Sequence, residues 1–483
     1  MVAGPGERGF RVTPSVLRRS AFAVLANLLV LALIAPMWRP DFLSLPGAYP
    51  GPAPTPAFTL RTLWLLVPLS ICTLGLHAFL SGALKGWQLV ALAVLSSYLG
   101  ILASGYLQID SEFALHRRMY QASYARDALL FDSWGELLAT YDAHQLELTG
   151  RGRTHPPGAA GLHWLTMRFG RVLAGWFGEG TDPDYEAFVA EGYLGAYLWS
   201  FLQALWLLPA WGLARRLYGE RAAGVAACFG ALAPSVIVIA PSIDGFQCLF
   251  AALGMYLLER GFNTGKLRWS ACSGLVCAIA TGITWAFGAL VPLYLAYFCL
   301  RRPKAMRPGW MHSPWMHMLA IPVGGAAFFG SLYALWGFHP FVPLADNLGT
   351  HYGSAVNAVR PYAPFLLISP FTFFAWAGVP LVIGFGMALV RSKPLGVLRG
   401  RDPLVLATFV GLLVITLSGA TRGETERLWL PLLPFVVIAG GHGLSSGFEG
   451  RSESRKDDLG WASMLTITVL SSVLLGNWWF HHH

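Results

Sequence analysis

The chain has 483 residues, 55% of them hydrophobic and 12% charged, about half the charged share of a soluble domain. Its formal charge is +9. The basic residues fall in short segments between apolar runs, which excludes a nucleic-acid footprint and reads as membrane topology instead. No Walker-type loop, H-E-x-x-H or G-x-S-x-G occurs, so nucleotide-driven pumping and those hydrolytic chemistries are excluded as well.

The apolar runs are about 15–27 residues long and do not alternate as strands do, so they read as helices. The first, 20–37, follows Arg8, Arg11, Arg18 and Arg19 and lacks a clear cleavage pattern, so it reads as a retained helix. Further spans are expected at 61–82, 88–107, 191–213, 222–240, 246–260, 269–283, 286–300, 315–337, 364–390, 403–420, 428–447 and 461–479. Basic residues flank both ends of 269–300, which therefore reads as two short helices turning near Thr281–Thr284. The expected fold is an all-α polytopic membrane protein of about 13 transmembrane helices with a long outer loop carrying interfacial helices. Its parts are an N-terminal tail with three spans (1–107), the long loop (108–190), and a bundle (191–483) with smaller loops at 338–363 and 421–427.

Charge parity orients these spans. With the N-terminus in the cytoplasm, alternate segments hold 22 of the 34 basic residues, including every lysine. That agrees with the positive-inside rule and puts loop 108–190 outside, at the extracytoplasmic face of the plasma membrane. This loop holds eleven of the chain's 25 acids. Within it, 160–177 is apolar enough to suggest a span, but counting it as one would invert every later loop. It carries His163, Arg168 and Arg171 and reads as an amphipathic helix lying on the outer leaflet. The six cysteines sit in or beside apolar runs without metal-ligand spacing and read as small core residues.

The unusual polar residues share the outer face. Asp110 and Glu112 follow the third span directly, where a carboxylate serves as a general base, a metal ligand or an ordinary loop acid. His155 stands in Arg153-Thr154-His155-Pro156-Pro157-Gly158, whose prolines fix an extended backbone. Asp244 lies just before the helix expected near Phe246, either as its cap or in a polar cavity. Loop 338–363 offers His339, Asp346, Asn347, His351, Tyr352, Arg360 and Tyr362, a mixture suited to sugar hydroxyls. The segment Thr421-Arg422-Gly423-Glu424-Thr425-Glu426-Arg427 is the densest charge cluster beside a span. It is either a set of ion pairs or a place where Arg meets a phosphate.

A long outer loop after an early span, an Asp at its start, and a His-Pro-Pro run before many further spans resemble the GT-C class of integral-membrane glycosyltransferases. More narrowly, the chain resembles bacterial dolichyl-phosphate-mannose-mannosyltransferase-like and aminoarabinose-transferase-like proteins of actinobacterial type. Residues 153–158, the run Leu-Ala-Arg-Arg-Leu-Tyr-Gly at 213–219 and Arg-Gly-Glu-Thr-Glu-Arg-Leu-Trp-Leu at 422–430 carry this likeness, which extends over about residues 88–450. It implies a sugar donor on a polyprenyl phosphate, a glycan, lipid or protein acceptor, and no nucleotide. It also implies Asp110 as general base, with Glu112 as the alternative, His155 near the active cavity, and Arg422 or Arg427 at the phosphate. Asp244, His351, Tyr352, Arg360, Glu424 and Glu426 complete the expected substrate contacts. Some members use a divalent metal; no ligand set is nominated here. The chain departs from the pattern in having two extra spans before the loop, which preserve its sidedness. A lipid or solute transporter, a flippase, or an inactive assembly subunit of the same fold are the alternatives.

Overall fold

The computed structural model describes residues 60–108, 124–145, 147–150, 152–177, 195–301, 314–345, 347, 360–392, 402–422, 424–447 and 460–472. The expected span 20–37 and the candidates Asp110, Glu112, His351 and Tyr352 lie outside these, and the side chain of Glu426 is likewise not described. Among the described residues every regular element is a helix. Four helical stretches are long and apolar enough to cross a membrane, or five when one bent pair counts as a span, and several shorter apolar helices join them. Large apolar side chains point away from the protein along these helices. On Pro314–Trp336, for example, Trp315, Leu319 and Val323 repeat every four residues and are well exposed, the pattern of a face solvated by lipid rather than water. The chain is a membrane protein.

In chain order, α1 (Leu66–Leu80) and α2 (Gly86–Gln108) form the first described pair. The long loop contributes α3 (Tyr124–Ala128), α4 (Trp134–Thr140) and α5 (Gly158–Phe177). The bundle follows with α6 (Ala196–Ala204), α7 (Leu207–Ala231) and α8 (Pro234–Ile239). The stretch Ala196–Ile239 is apolar over 44 residues, but it is not one rod. Gly219 takes φ 87°, ψ 176° in the middle of α7, a left-handed setting open to glycine. Beyond it the chain doubles back, so that Gly230 packs against Trp206 and Leu207. Arg215 and Glu220 pair across this turn at 3.3 Å. The described part of the expected span 191–213, from residue 195 on, and the span 222–240 thus form the arms of a hairpin.

Next come α9 (Phe246–Thr264), α10 (Leu267–Ile283) and α11 (Val291–Leu300). The turn expected near Thr281–Thr284 is present: Thr284 ends α10 and caps a short 3₁₀ turn, Trp285–Leu290. Then α12 (Pro314–Trp336) packs on α10 through glycine. A Cβ at Gly274 or Gly324 would overlap the opposing backbone carbonyl, the small-residue contact by which membrane helices approach closely.

The expected single span 364–390 is corrected. It is two helices, α13 (Tyr362–Ala377) and α14 (Val379–Arg391), bent by 111° at Gly378, which has φ 101°. Hydropathy did not signal the bend because both halves are apolar and Pro380 reads as an ordinary first-turn proline. Finally α15 (Pro403–Ser418), α16 (Thr425–Leu428), α17 (Leu433–Gly447) and a helix at 460–472 close the bundle. Glycines at 384, 440 and 443 set α14 and α17 backbone to backbone. Of the six cysteines, Cys72, Cys228 and Cys248 are buried as expected, whereas Cys299 is exposed.

Helix α5 coincides with the amphipathic segment read at 160–177. Ala159, Ala160, His163 and Met167 are buried, while Leu165, Phe169 and Val172 form an exposed apolar row. Arg168 stacks on Trp164 and donates to Asp132 O at 2.5 Å. A buried face, an apolar outer row and a guanidinium held at its edge suit a helix lying at a bilayer surface.

Candidate functional site

The loop that carries His155 is held by a buried carboxylate. Asp127 is 1% exposed. It accepts from Thr149 N at 2.7 Å and from Thr149 Oγ1 at 2.8 Å. Burial raises its carboxyl above the ordinary value, and the Thr149 bonds together with Arg126 and His163 only partly offset this. Tyr141 donates to Gly152 O at 3.0 Å and lies 3.3 Å from His155 O. Its phenol is pushed well above its ordinary range by burial first and then by Asp127, so it stays a neutral donor. The next residues, Pro156 and Pro157, bring Gly158 against the end of α10. A Cβ there would lie 2.9 Å from Gly282 C and 3.2 Å from Ile283 Cα. Gly158 is therefore where the His-Pro-Pro segment docks on the bundle. The His155 ring meets the Tyr124 ring edge-on at 5.2 Å, and Nδ1 is 3.3 Å from Thr154 Oγ1. Asn347, from the later loop, donates to Thr154 O.

A charged cluster stands beside Tyr124. Arg427 reaches Asp244 Oδ2 at 2.8 Å and Glu424 Oε2 at 2.7 Å. Glu424 also meets Arg360 at 3.5 Å. Arg360 donates to Arg422 O at 2.8 Å, and Arg422 returns a bond to Arg360 O at 3.2 Å. Burial opposes the charge on Arg427, but Asp244 and Glu424 outweigh it and hold the guanidinium above its ordinary value, with Tyr124 adding to the effect. Asp244 does not cap α9. Its carboxylate goes to Arg427 and to Gln247 Nε2 at 2.7 Å, and no side chain caps that helix. The carboxylate sits in an ion pair in place of a cap.

Arg422 differs from its neighbours. Its hydrogen bonds go to the carbonyls of Gly419 and Arg360, and its guanidinium lies 5.5 Å from the centre of the Tyr362 ring. Among the described residues no carboxylate pairs with it. Three arginines against the two carboxylates of Asp244 and Glu424 leave the described cluster with one uncompensated positive charge.

The structure thus brings together Asp244, Arg360, Arg422, Glu424 and Arg427 from three separate stretches of chain. Through Tyr124 it sets His155 nearby. Three residues of this end were not singled out from sequence: Tyr124, Gln203 and Gln247. The two glutamines did carry a signal, since each is an amide within an apolar run. Among the described residues no group of three His, Cys, Asp or Glu side chains could hold a metal ion, so no chemistry is assigned to one.

Residues 191–333 match the family model described as Dolichyl-phosphate-mannose-protein mannosyltransferase. The matched segment includes Gln203, Asp244 and Gln247. No curated protein matches the chain. Two solved structures align with the chain in part. One is the Archaeoglobus fulgidus oligosaccharyltransferase in complex with Zn and sulfate, at 13% identity and a TM-score of 0.42, with 82% of this chain and 52% of that chain covered. The other is the oligosaccharyltransferase AglB of the same organism in complex with an inhibitory peptide and a dolichol-phosphate, at 13% identity and a TM-score of 0.44, covering 81% and 56%. The chain spans about half the length of these structures.

Proposed function

We propose that the protein is a membrane glycosyltransferase that moves a sugar from a polyprenyl-phosphate donor to a glycan, lipid or protein acceptor at the extracytoplasmic face. The observation that carries this reading is the family match over 191–333, a segment whose Asp244 is built into a cluster of arginines. The chemistry is a single displacement. The acceptor hydroxyl attacks the anomeric carbon, a carboxylate takes its proton, and the bond to the phosphate breaks with its electron pair leaving on the phosphate oxygen. One displacement of this kind inverts the anomeric centre.

In this scheme Asp110 is the base, with Glu112 as the alternative, by their position just beyond the end of α2. The phosphate gains charge as it leaves, so a cation fixed beside it stabilises the transition state. Arg422 suits that task better than Arg427, because Arg427 is already engaged by two carboxylates while Arg422, among the described residues, is held by carbonyls and an aromatic face. Arg360 orients Arg422, and Glu424 orients Arg360. His155 supports the acceptor side, and His351, Tyr352 and Glu426 complete the substrate contacts. Transfer from a polyprenyl-phosphate-linked sugar by the full chain in lipid, repeated with Asp110→Asn, tests the assignment. Loss of about 10²–10⁴ in rate is expected for removal of a general base, and unchanged transfer would remove Asp110 from that role.

The bent pair α13–α14 favours a second reading, a transporter or flippase, since broken helices are a feature of such proteins. Against it, the described charges of the cluster gather where helices end rather than within a span.

A further inference from the structure

Beneath the charged cluster lies a set of buried polar atoms that the scheme above leaves unused. Gln203 on α6 and Gln247 on α9 are each 1% exposed. The amide nitrogen of Gln203 donates to Ser242 O at 2.6 Å, and that of Gln247 donates to Asp244 Oδ1 at 2.7 Å. These bonds fix which way each carboxamide faces, so each Oε1 is left as an acceptor. Neither Gln203 Oε1 nor Gln247 Oε1 has a hydrogen-bond partner among the described residues, and the same holds for the buried Ser242 Oγ. An orphaned buried carbonyl or hydroxyl is costly, and three of them on one six-residue stretch and the helix beside it are not a packing accident.

The local backbone is shaped to keep them there. Gly245 lies directly under the Gln203 carboxamide, whose Cδ would be 2.5 Å from any Cβ at that position. Asp244, between Ser242 and Gly245, is locked by Arg427. Two buried carbonyl oxygens and a hydroxyl that lack donors are complementary to a ligand rich in O–H groups. They do not suit an anion, since amide and carboxylate oxygens repel it.

We propose that Gln203, Ser242 and Gln247 form a subsite that binds the hydroxyls of the donor's sugar, next to the arginines that face its phosphate. This deepens the glycosyltransferase reading and rests on it. Each hydroxyl of a pentose or hexose donates one proton, and the subsite supplies acceptors for up to three of them. The two ends of the donor are thereby read by different groups: phosphate by charge, sugar by neutral acceptors.

The test uses the full-length chain in nanodiscs and measures affinity for bare polyprenyl phosphate and for polyprenyl phosphate carrying mannose, glucose or arabinose. The wild type is expected to bind at least one sugar-bearing lipid about tenfold more tightly than the bare lipid. Ser242→Ala and Gln203→Met should each reduce that preference by about threefold to tenfold, the scale of one neutral hydrogen bond, with affinity for the bare lipid unchanged. Ser242→Ala should also leave the melting temperature of the ligand-free protein unchanged or raised, because it deletes an unsatisfied hydroxyl. A purely structural serine would lower it. The proposal is overturned if the folded Ser242→Ala variant keeps the full preference, or if the wild type binds no sugar-bearing lipid more tightly than the bare one. Failure to bind the bare lipid at all would instead bring down the lipid-phosphate reading, and this proposal with it.

Discussion

Arg427→Met tests how the cluster is held together. The substitution keeps most of the side chain's bulk and removes the guanidinium that joins Asp244 to Glu424. Asp244 is 4% exposed. Without its partner it becomes a buried, uncompensated carboxylate with one remaining bond, from Gln247. Breaking a buried pair in this way costs about 3–5 kcal/mol. Glu424 adds little to that sum, about 1 kcal/mol or less, because it is partly exposed and keeps Arg360. Asp244→Asn alone should cost less, since its amide oxygen still accepts from Gln247. Combined with Arg427→Met it should recover about 1–3 kcal/mol relative to the sum of the single variants, the range for residues in direct contact. Unfolding in mixed micelles on an SDS gradient, followed by tryptophan fluorescence, measures all four corners of the cycle. An Arg427→Met cost below about 1 kcal/mol, or a double variant that is simply additive, would refute the idea that this pair anchors the site.

Other consequences follow from the same geometry. Arg422→Lys should raise the donor KM by about tenfold with little change in stability, because an ammonium loses the fork that binds two phosphate oxygens; steady-state kinetics check it, and an unchanged KM would detach Arg422 from the phosphate. For Asp127 the folded carboxyl titrates above its ordinary 3.8. Its contribution to stability is therefore full below that value and is lost as pH rises through the raised one. Hydrogen exchange across 124–155 should accordingly speed up on going from acid toward neutral pH, and Asp127→Asn should flatten that slope; an equal slope in both proteins would count against the assignment. Gly443→Val should destabilise the α14–α17 contact by about 1–3 kcal/mol or more, since the new Cβ meets Gly384 O. A variant as stable as the wild type in the same SDS titration would contradict that packing.

The all-helical membrane character was legible in the sequence because it follows from composition. Apolar runs mark helices, and the expected topology groups residues as far apart as Asp244, Arg360 and Arg427, which the structure brings into contact with one another or through Glu424. The partners were not legible. Asp244 and Arg427 are 183 positions apart, and nothing in the local run Pro241–Gly245 distinguishes a helix cap from an ion pair. The bend at Gly378 was hidden by uniform hydropathy on either side. Asp127 looked like one of many loop acids; only the fold shows that Thr149 returns to it. Gln203 and Gln247 draw no notice in the sequence because each is a single polar residue in an apolar run, although an amide at such depth must satisfy its donors and acceptors somewhere.

The central claim is that sugar leaves the lipid and forms a glycosidic bond, rather than merely crossing the bilayer with its carrier. Proteoliposomes holding the full chain and a radiolabelled polyprenyl-phosphate sugar allow both events to be followed in one reaction. The account predicts release of polyprenyl phosphate together with a labelled glycosidic product. Movement of the intact lipid to the other leaflet with no such product would contradict it and favour the transporter.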